Sequence, residues 1–231
     1  MKVSDDPWTG HVVDVEDTGL RERVGRIGAG PLGRIPGMIP DLGNEKRALR
    51  AELRQRRRTR TTTEREADST ALTETLQRFV EERQVRSLAL YLSAPDEPDV
   101  RPFLDWAFAN GVRVLLPITR EDGLLDWAVG DGSAETQGIA GMPEVVGEIL
   151  SPLAINDVDA ILAPAAAVGQ DGCRMGWGRG YYDKTLGSMA NRPPVYAVIF
   201  DAEFLDEVPR ETHDEPVDGI ITPSRIITFR S

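Results

Sequence analysis

The segment 172–183 contains the residue types of this chain best suited to chemistry: four glycines, two arginines, two tyrosines and a carboxylate, as Gly-Cys-Arg-Met-Gly-Trp-Gly-Arg-Gly-Tyr-Tyr-Asp. Glycines let backbone N–H groups approach an anion closely, and a helix beginning after them would add its positive dipole end. Arg174 and Arg179 provide guanidinium groups whose geometry matches phosphate oxygens. Asp183 provides an oxygen ligand of the kind that magnesium prefers. The segment therefore indicates a cradle for a nucleotide polyphosphate and its metal.

The two common glycine motifs for phosphate binding do not fit this spacing. A Walker A loop requires Gly-Lys followed by Ser or Thr, which the chain lacks. The dinucleotide fingerprint Gly-x-Gly-x-x-Gly differs from the strict alternation of glycines at 176, 178 and 180. A tight surface turn is the ordinary interpretation of a glycine cluster. The interleaved arginines and the Tyr-Tyr-Asp that follows argue against it.

A second group of cations lies in segment 46–60, with one lysine and seven arginines. On a helix, Lys46 and Arg50 project from one side, next to an apolar stripe of Leu49 and Leu53. Both cations could then meet one polyphosphate, although a solvated helix face is the ordinary alternative for such a run. The net charge of −11 argues against a general nucleic-acid-binding protein. RNA or DNA binding through this segment is the least favoured hypothesis.

Composition suits a soluble globular protein, since 231 residues with 40% hydrophobic side chains can form one sizeable core or at most two small ones. No apolar run approaches the roughly 18 residues of a membrane span, and the first residues lack a signal-like apolar stretch. We therefore expect a cytoplasmic protein with no membrane partner. Cys173 is the only cysteine, which excludes an internal disulfide. Neither histidine is near it in sequence, so we do not expect it to act as a nucleophile.

Residues 1–43 mix glycine, proline and scattered charges and are predicted to form an irregular extension, and residues 44–231 one α/β domain. Apolar periodicity predicts helices over 44–60 and 64–83, followed by a strand–helix–strand unit over 87–117 with parallel strands. Further strands are predicted at 124–129, 160–163, 195–200 and 219–221, and helices near 144–150 and 180–190.

The predicted fold class is α/β, with three layers: an open, mostly parallel sheet covered by helices on both faces. Ligands of such sheets bind beyond the carboxyl ends of the strands. The glycine segment follows the strand predicted at 160–163 and should therefore lie at that edge.

The glycine segment, extended to 171–184, resembles the signature of the 5-formyltetrahydrofolate cyclo-ligases, also called methenyltetrahydrofolate synthetases. Four shorter blocks resemble further family blocks in the same order, at 46–50, 91–97, 209–214 and 217–223. The resemblance covers about residues 44 to 231. It implies a fold of the CoA-transferase and ribose-phosphate-isomerase type. It also implies the ATP- and magnesium-dependent cyclisation of 5-formyltetrahydrofolate, with or without a polyglutamate tail, to 5,10-methenyltetrahydrofolate, ADP and phosphate.

The resemblance implies roles for individual residues. Arg179 would stabilise the transferring phosphoryl group, Glu97 would hydrogen-bond the pterin edge, and Asp183 and Asp214 would bind magnesium. The ATP contacts would be Lys46, Arg50, Arg174, Gly176, Trp177, Gly178, Arg179, Gly180, Tyr181 and Tyr182. The folate contacts, besides Glu97, would be Trp177, Gly178, Arg179, Gly180 and Tyr181.

Departures from the family pattern keep a second hypothesis open, a homologue that binds nucleotide or folate without turnover. Pro98 and Val100 replace the usual Val and Thr after Glu97, and segment 138–144 matches the family's Gly-Ile-x-Glu-Pro only loosely. Segment 167–169 lacks the aromatic residue of the usual Ala-Phe-Asp. From the residues alone, Glu97 could also belong to an ordinary acidic turn and Asp214 could cap a turn. The sequence does not reveal the oligomeric state; a monomer is favoured.

Overall fold

The computed structural model describes residues 41–132, 134–139, 141–211 and 214–229. Most of the predicted extension, residues 1–40, lies outside them. The described helices are α1 (Leu42–Arg58), α2 (Thr62–Glu82), α3 (Arg101–Ala109) and α4 (Tyr181–Gly187), with short 3-10 helices at Pro152–Asp157 and Asp201–Glu203. The described strands are β1 (Ser87–Ala89), β2 (Arg113–Thr119), β3 (Leu125–Val129), β4 (Glu135–Gln137), β5 (Pro143–Val145), β6 (Ile149–Leu150), β7 (Ala160–Pro164), β8 (Ala167–Gly169), β9 (Arg174–Met175), β10 (Val195–Val198), β11 (Phe204–Leu205), β12 (Gly219–Ile221) and β13 (Ile226–Thr228).

An eight-stranded sheet in the order β13-β12-β10-β7-β1-β2-β3-β6 forms the middle of the fold. Its central strands β12, β10, β7, β1 and β2 are parallel. β13 at one edge, and β3 and β6 at the other, pair antiparallel. The mostly parallel sheet predicted from the sequence is therefore confirmed.

Helices cover both faces of this sheet. Successive residues of a strand point to opposite faces, so each strand contributes side chains to a core on either side. Leu88 of β1 packs on one face with Phe79 of α2 and Phe103 of α3. Its neighbour Ala89 belongs to the opposite core, which includes Leu186 of α4 and the 3-10 helix at Pro152–Asp157. The predicted three-layer arrangement is confirmed. None of the helices within the described ranges combines the length and apolar character needed to cross a membrane.

Helix α1 packs against a second, three-stranded sheet, ordered β11-β8-β9, which carries the glycine segment. Its buried Leu53 belongs to one cluster with Ala167 of β8, Met175 of β9 and Leu205 of β11. Leu49 packs against the same cluster, so the predicted apolar stripe of this helix is confirmed. This packing places the basic helix next to the glycine segment.

The prediction of a helix near 144–150 is wrong, because this segment forms β5 and β6 instead. β5 pairs with β4 in an antiparallel hairpin, and β6 pairs with the edge of β3. The adjacent Val145 and Val146 are β-branched and fit the pleat of a sheet, and Gly147 separates the two strands. The short strands β8, β9, β11 and β13 were also missed, since two or three residues carry too little periodicity to recognise.

Gly219 in β12 has no room for a side chain. A Cβ there would lie 2.3 Å from the carbonyl oxygen of Ile227 and 2.4 Å from the ring of Tyr196. We expect Gly219→Ala to lower the free energy of unfolding by roughly 1–3 kcal/mol, because the neighbouring strands must shift. At the control position, Gly147, the nearest atom to an added Cβ is 3.9 Å away, so Gly147→Ala should leave stability nearly unchanged. Urea denaturation of both variants checks this, and equal losses would contradict the packing argument.

Candidate active site

A cavity lies at the carboxyl ends of β1, β2 and β7, where the glycine segment was expected. Polypeptide following β1 contributes Tyr91 and Glu97 to its wall, and β2 ends there with Thr119. The β4–β5 hairpin closes one side with Met142, Pro143 and Glu144. The predicted site residues in the wall are Glu97, Arg174, Gly176, Trp177, Arg179, Gly180, Tyr181, Tyr182 and Asp183.

The glycines of the segment have the conformations that a tight loop requires. Gly178 and Gly180 have φ angles of 94° and 74°, in the left-handed region that favours glycine. Gly180 directly precedes α4, so the helix begins at the end of the loop as predicted. Arg50 of α1 lies against this backbone, and its Nε donates to the carbonyl oxygen of Gly176 at 2.8 Å. Arg50 therefore holds the glycine loop to α1.

Arg174 is buried and holds the base of the loop. Its Nη1 donates to the carbonyl oxygen of Pro164 at 3.2 Å, and its Nη2 forms an ion pair with Asp183. A residue predicted to contact phosphate and one predicted to bind magnesium therefore neutralise each other. Arg179, in contrast, is exposed and has no hydrogen-bond or ion-pair partner among the described residues. Arg179 is thus a cation in the cavity wall available to a ligand.

Lys46 and Asp214 are brought together, but outside the cavity wall. The Nζ of Lys46 donates at 2.6 Å to Asp214 and at 2.6 Å to Glu211, and only 3% of the residue is exposed. Burial alone would lower the pKa of Lys46, but the hydrogen bonds to Asp214 and Glu211 outweigh it and raise the pKa above its usual value. Lys46 is therefore a fully charged ammonium held by two carboxylates. No role was predicted for Glu211, although it stands three residues before Asp214.

A buried ion pair between Arg57 of α1 and Glu203 was not predicted from the sequence. The Arg57 Nε and Nη2 atoms donate to the two Glu203 carboxylate oxygens at 2.6 and 2.7 Å. The guanidinium lies 4.6 Å from the ring centroid of Trp177 in the glycine segment. The solvated-face interpretation of the basic run is therefore wrong for Arg57. No local signal indicates this pair, because its members are 146 positions apart.

Glu97 is a carboxylate at the edge of a largely apolar space. Burial raises its pKa, although a hydrogen bond from the Ala94 backbone N–H, 2.9 Å from Oε2, partly opposes the shift. Burial also raises the pKa of Tyr91 and Tyr182, which keeps both hydroxyls protonated as donors. Burial, with the carboxylates of Asp171 and Asp214, raises the pKa of Cys173 to about 11. A thiol protonated at neutral pH agrees with the expectation that Cys173 is not a nucleophile.

The described residues contain no cluster of three His, Cys, Asp or Glu side chains that could hold a metal alone. Asp183 and Asp214 lie in separate ion pairs, with Arg174 and Lys46 respectively. Magnesium is commonly held by one or two carboxylates together with substrate phosphates, so these oxygen ligands fit a metal that arrives with a nucleotide. His213, a neighbour of Asp214, lies outside the described residues.

Comparisons with known proteins agree with this fold and identify a family. Residues 42–223 match the model of the 5-formyltetrahydrofolate cyclo-ligase family. The chain is 35% identical to the 5-formyltetrahydrofolate cyclo-ligase of Mycolicibacterium smegmatis, over 80% of this chain and 97% of that protein. It is 27% identical to the mouse protein of the same name, over 78% of this chain and 94% of that protein.

Solved structures of 5,10-methenyltetrahydrofolate synthetases share the fold. The Aquifex aeolicus structure superposes with a TM-score of 0.68 at 26% identity, covering 80% of this chain and 93% of that one. The Mycoplasma pneumoniae structure superposes with a TM-score of 0.64 at 22% identity, covering 78% and 99%. With the family model matched across most of the described residues, the chain belongs to the 5-formyltetrahydrofolate cyclo-ligase family.

Proposed function

We propose that this protein is an enzyme that uses ATP to close 5-formyltetrahydrofolate to 5,10-methenyltetrahydrofolate, releasing ADP and phosphate. Family membership supports the reaction. The structural observation that carries the proposal is Arg179, exposed and unpartnered among the described residues, in a cavity wall that also contains the glycine loop and Glu97. A cation there can meet phosphate while the apolar part of the cavity receives a ring system. The cytoplasmic location expected from composition stays a prediction.

The reaction needs the formyl oxygen to become a leaving group. In the first step this oxygen bonds to the γ-phosphorus of ATP as the bond to the β–γ bridging oxygen breaks, and ADP departs. In the second step N10 attacks the activated carbon, loses its proton, and the carbon–oxygen bond breaks to release phosphate. Positioning and charge neutralisation dominate such phosphoryl transfer. Arg179 and the backbone N–H groups of the glycine loop are the groups that would stabilise the transferring phosphoryl.

Lys46, Arg50 and Arg174 would hold the nucleotide phosphates. Arg50 and Arg174 already border the glycine loop, but Arg174 and Lys46 would each have to exchange a carboxylate partner for a phosphate oxygen. Asp183 and Asp214 would hold magnesium, which supplies charge neutralisation on the phosphates when bound. Their present pairing with Arg174 and Lys46 keeps the site close to neutral in the ligand-free state.

We expect Arg179→Ala to lower kcat roughly 100- to 1,000-fold, since one preorganised group that stabilises transition-state charge contributes about that much. Arg179→Lys should retain part of the activity because it keeps the charge. Arg56, an exposed α1 residue whose side chain pairs with Glu52 alone among the described residues, offers a control, and Arg56→Ala should leave kcat unchanged. The measurement is absorbance of the methenyl product together with released phosphate. A wild-type protein that binds ATP and formylfolate but forms no product would instead indicate a binding homologue.

Glu97→Gln should lower activity toward formylfolate while raising the stability of the protein at neutral pH. The pKa of Glu97 is raised in the folded protein, so the ionised carboxylate destabilises the native state at neutral pH; this penalty shrinks as pH falls below the folded-state pKa and is absent below the unfolded-state pKa. The amide that replaces the carboxylate keeps an oxygen to accept the Ala94 N–H. We therefore expect the variant to be more stable than wild type at pH 7, with the difference shrinking in acid, while kcat/KM for formylfolate falls roughly 10- to 100-fold. Denaturation as a function of pH checks the first part; a stability gain that grows in acid would refute the sign.

A further inference from the structure

The cavity wall contains a third carboxylate besides those of Glu97 and Asp183, on Glu144 of β5. Glu144 lies in the cavity wall on the hairpin that closes one side, and only 7% of the residue is exposed. A carboxylate removed from water to this extent needs hydrogen-bond donors to offset the loss of hydration.

Thr119 at the end of β2 provides two donors to the same oxygen. Its backbone N–H lies 2.7 Å from Oε1 of Glu144, and its hydroxyl donates to that atom as well. The other oxygen, Oε2, accepts no hydrogen bond from the described residues. Thr119 therefore orients the carboxylate through Oε1, and Oε2 can still accept a hydrogen bond from a ligand.

The turn of the β4–β5 hairpin is shaped around this carboxylate. A Cβ at Gly138 would lie 1.9 Å from Oε1 and 2.7 Å from Oε2 of Glu144. The turn itself is closed by hydrogen bonds from the Gly138 N–H to Met142 at 2.9 Å and from the Gly141 N–H to Gly138 at 2.8 Å. Only glycine at 138 lets the backbone approach so closely. The fold thus fixes the position of the Glu144 side chain as well as burying it.

A buried hydroxyl in the same cavity also lacks a partner. Tyr182 is 8% exposed and lines the cavity, and its hydroxyl oxygen is buried without a hydrogen-bond partner in the described part of the chain. Buried polar groups are normally satisfied, so an unpartnered hydroxyl facing a cavity indicates a ligand group. The cavity therefore offers carboxylate acceptors together with a hydroxyl that can donate.

The order of the strands shows which part of a ligand Glu144 meets. The glycine loop follows β7, Glu97 follows the adjacent β1, and Glu144 is held by the end of β2, the next strand. Glu144 is thus farther along the sheet from the phosphate-binding elements than Glu97. A carboxylate repels phosphates and the carboxylates of a glutamate tail. It attracts N–H groups, which an aminopyrimidinone ring carries at several positions.

We propose that Glu144 is a specificity-determining residue that accepts hydrogen bonds from N–H groups of the pterin ring. Glu97 and Glu144 then hold the ring from two adjacent strands, with Gly138 and Thr119 fixing the second carboxylate. This inference rests on the proposed function.

Two variants test the role of the carboxylate differently. Glu144→Gln removes the charge but keeps an oxygen for Thr119, and Gly138→Ala displaces the carboxylate without removing it. Each should raise the KM and the dissociation constant for 5-formyltetrahydrofolate roughly 10- to 100-fold and leave the KM for ATP unchanged. Gly147→Ala, in the same region but without a close neighbour, should leave all constants unchanged. Thermal melts followed by circular dichroism confirm that each variant is folded.

The constants are measured by steady-state kinetics, and folate affinity by equilibrium dialysis with a non-hydrolysable ATP analogue. A folded Glu144→Gln variant with wild-type folate affinity would overturn this inference and leave the proposed reaction intact. Wild type that binds 5-formyltetrahydrofolate without forming methenyl product would overturn the proposed reaction, and the dialysis would still decide the role of Glu144. Wild type that neither binds nor converts formylfolate would overturn both.

Discussion

The attachment of α1 to the glycine loop is the constraint on which the proposed nucleotide side of this site depends. Arg57 brings a permanent charge into the protein interior, where it is tolerated because Glu203 and the Ala165 carbonyl oxygen accept its hydrogen bonds. Loss of one partner from such a buried pair costs about 3–5 kcal/mol. The pair fixes α1 against the sheet, and the same helix presents Arg50 to the backbone of Gly176. Helix and loop therefore form one unit.

The buried cations of this unit are paired with carboxylates before any ligand binds. Arg174 is paired with Asp183, and Lys46 with Asp214 and Glu211. A cluster of unpaired buried cations would repel itself, whereas paired groups can exchange a carboxylate for a phosphate when a nucleotide arrives. Magnesium would then meet carboxylates released by the same exchange. Binding of nucleotide and metal is thus expected to be coupled through these ion pairs, whereas Arg179 and Arg50 have no carboxylate partner among the described residues to exchange.

Features encoded by neighbouring residues could be predicted from the sequence. The alternating glycines of 176–180 indicated a loop, and apolar periodicity predicted α1, α2 and the parallel strands. Features created by distant residues could not. Glu203 meets Arg57 across 146 positions, and Thr119 meets Glu144 across 25. The 144–150 segment was predicted as a helix because its strands are too short to show alternation, so a carboxylate of the cavity was overlooked.

Charge is distributed unevenly along the sheet edge, so the two ends of the cavity differ in the sign of their charged groups. Cations and backbone N–H groups gather at the glycine loop beside β7, while the carboxylates of Glu97 and Glu144 follow β1 and β2. A polyphosphate placed beside the carboxylates would be repelled, and an N–H-rich ring placed among the arginines would leave its donors unpaired. Each substrate is therefore favoured in one half and disfavoured in the other. Under the proposed function, the same polarity would direct the formyl group of a bound folate toward the phosphate to be transferred.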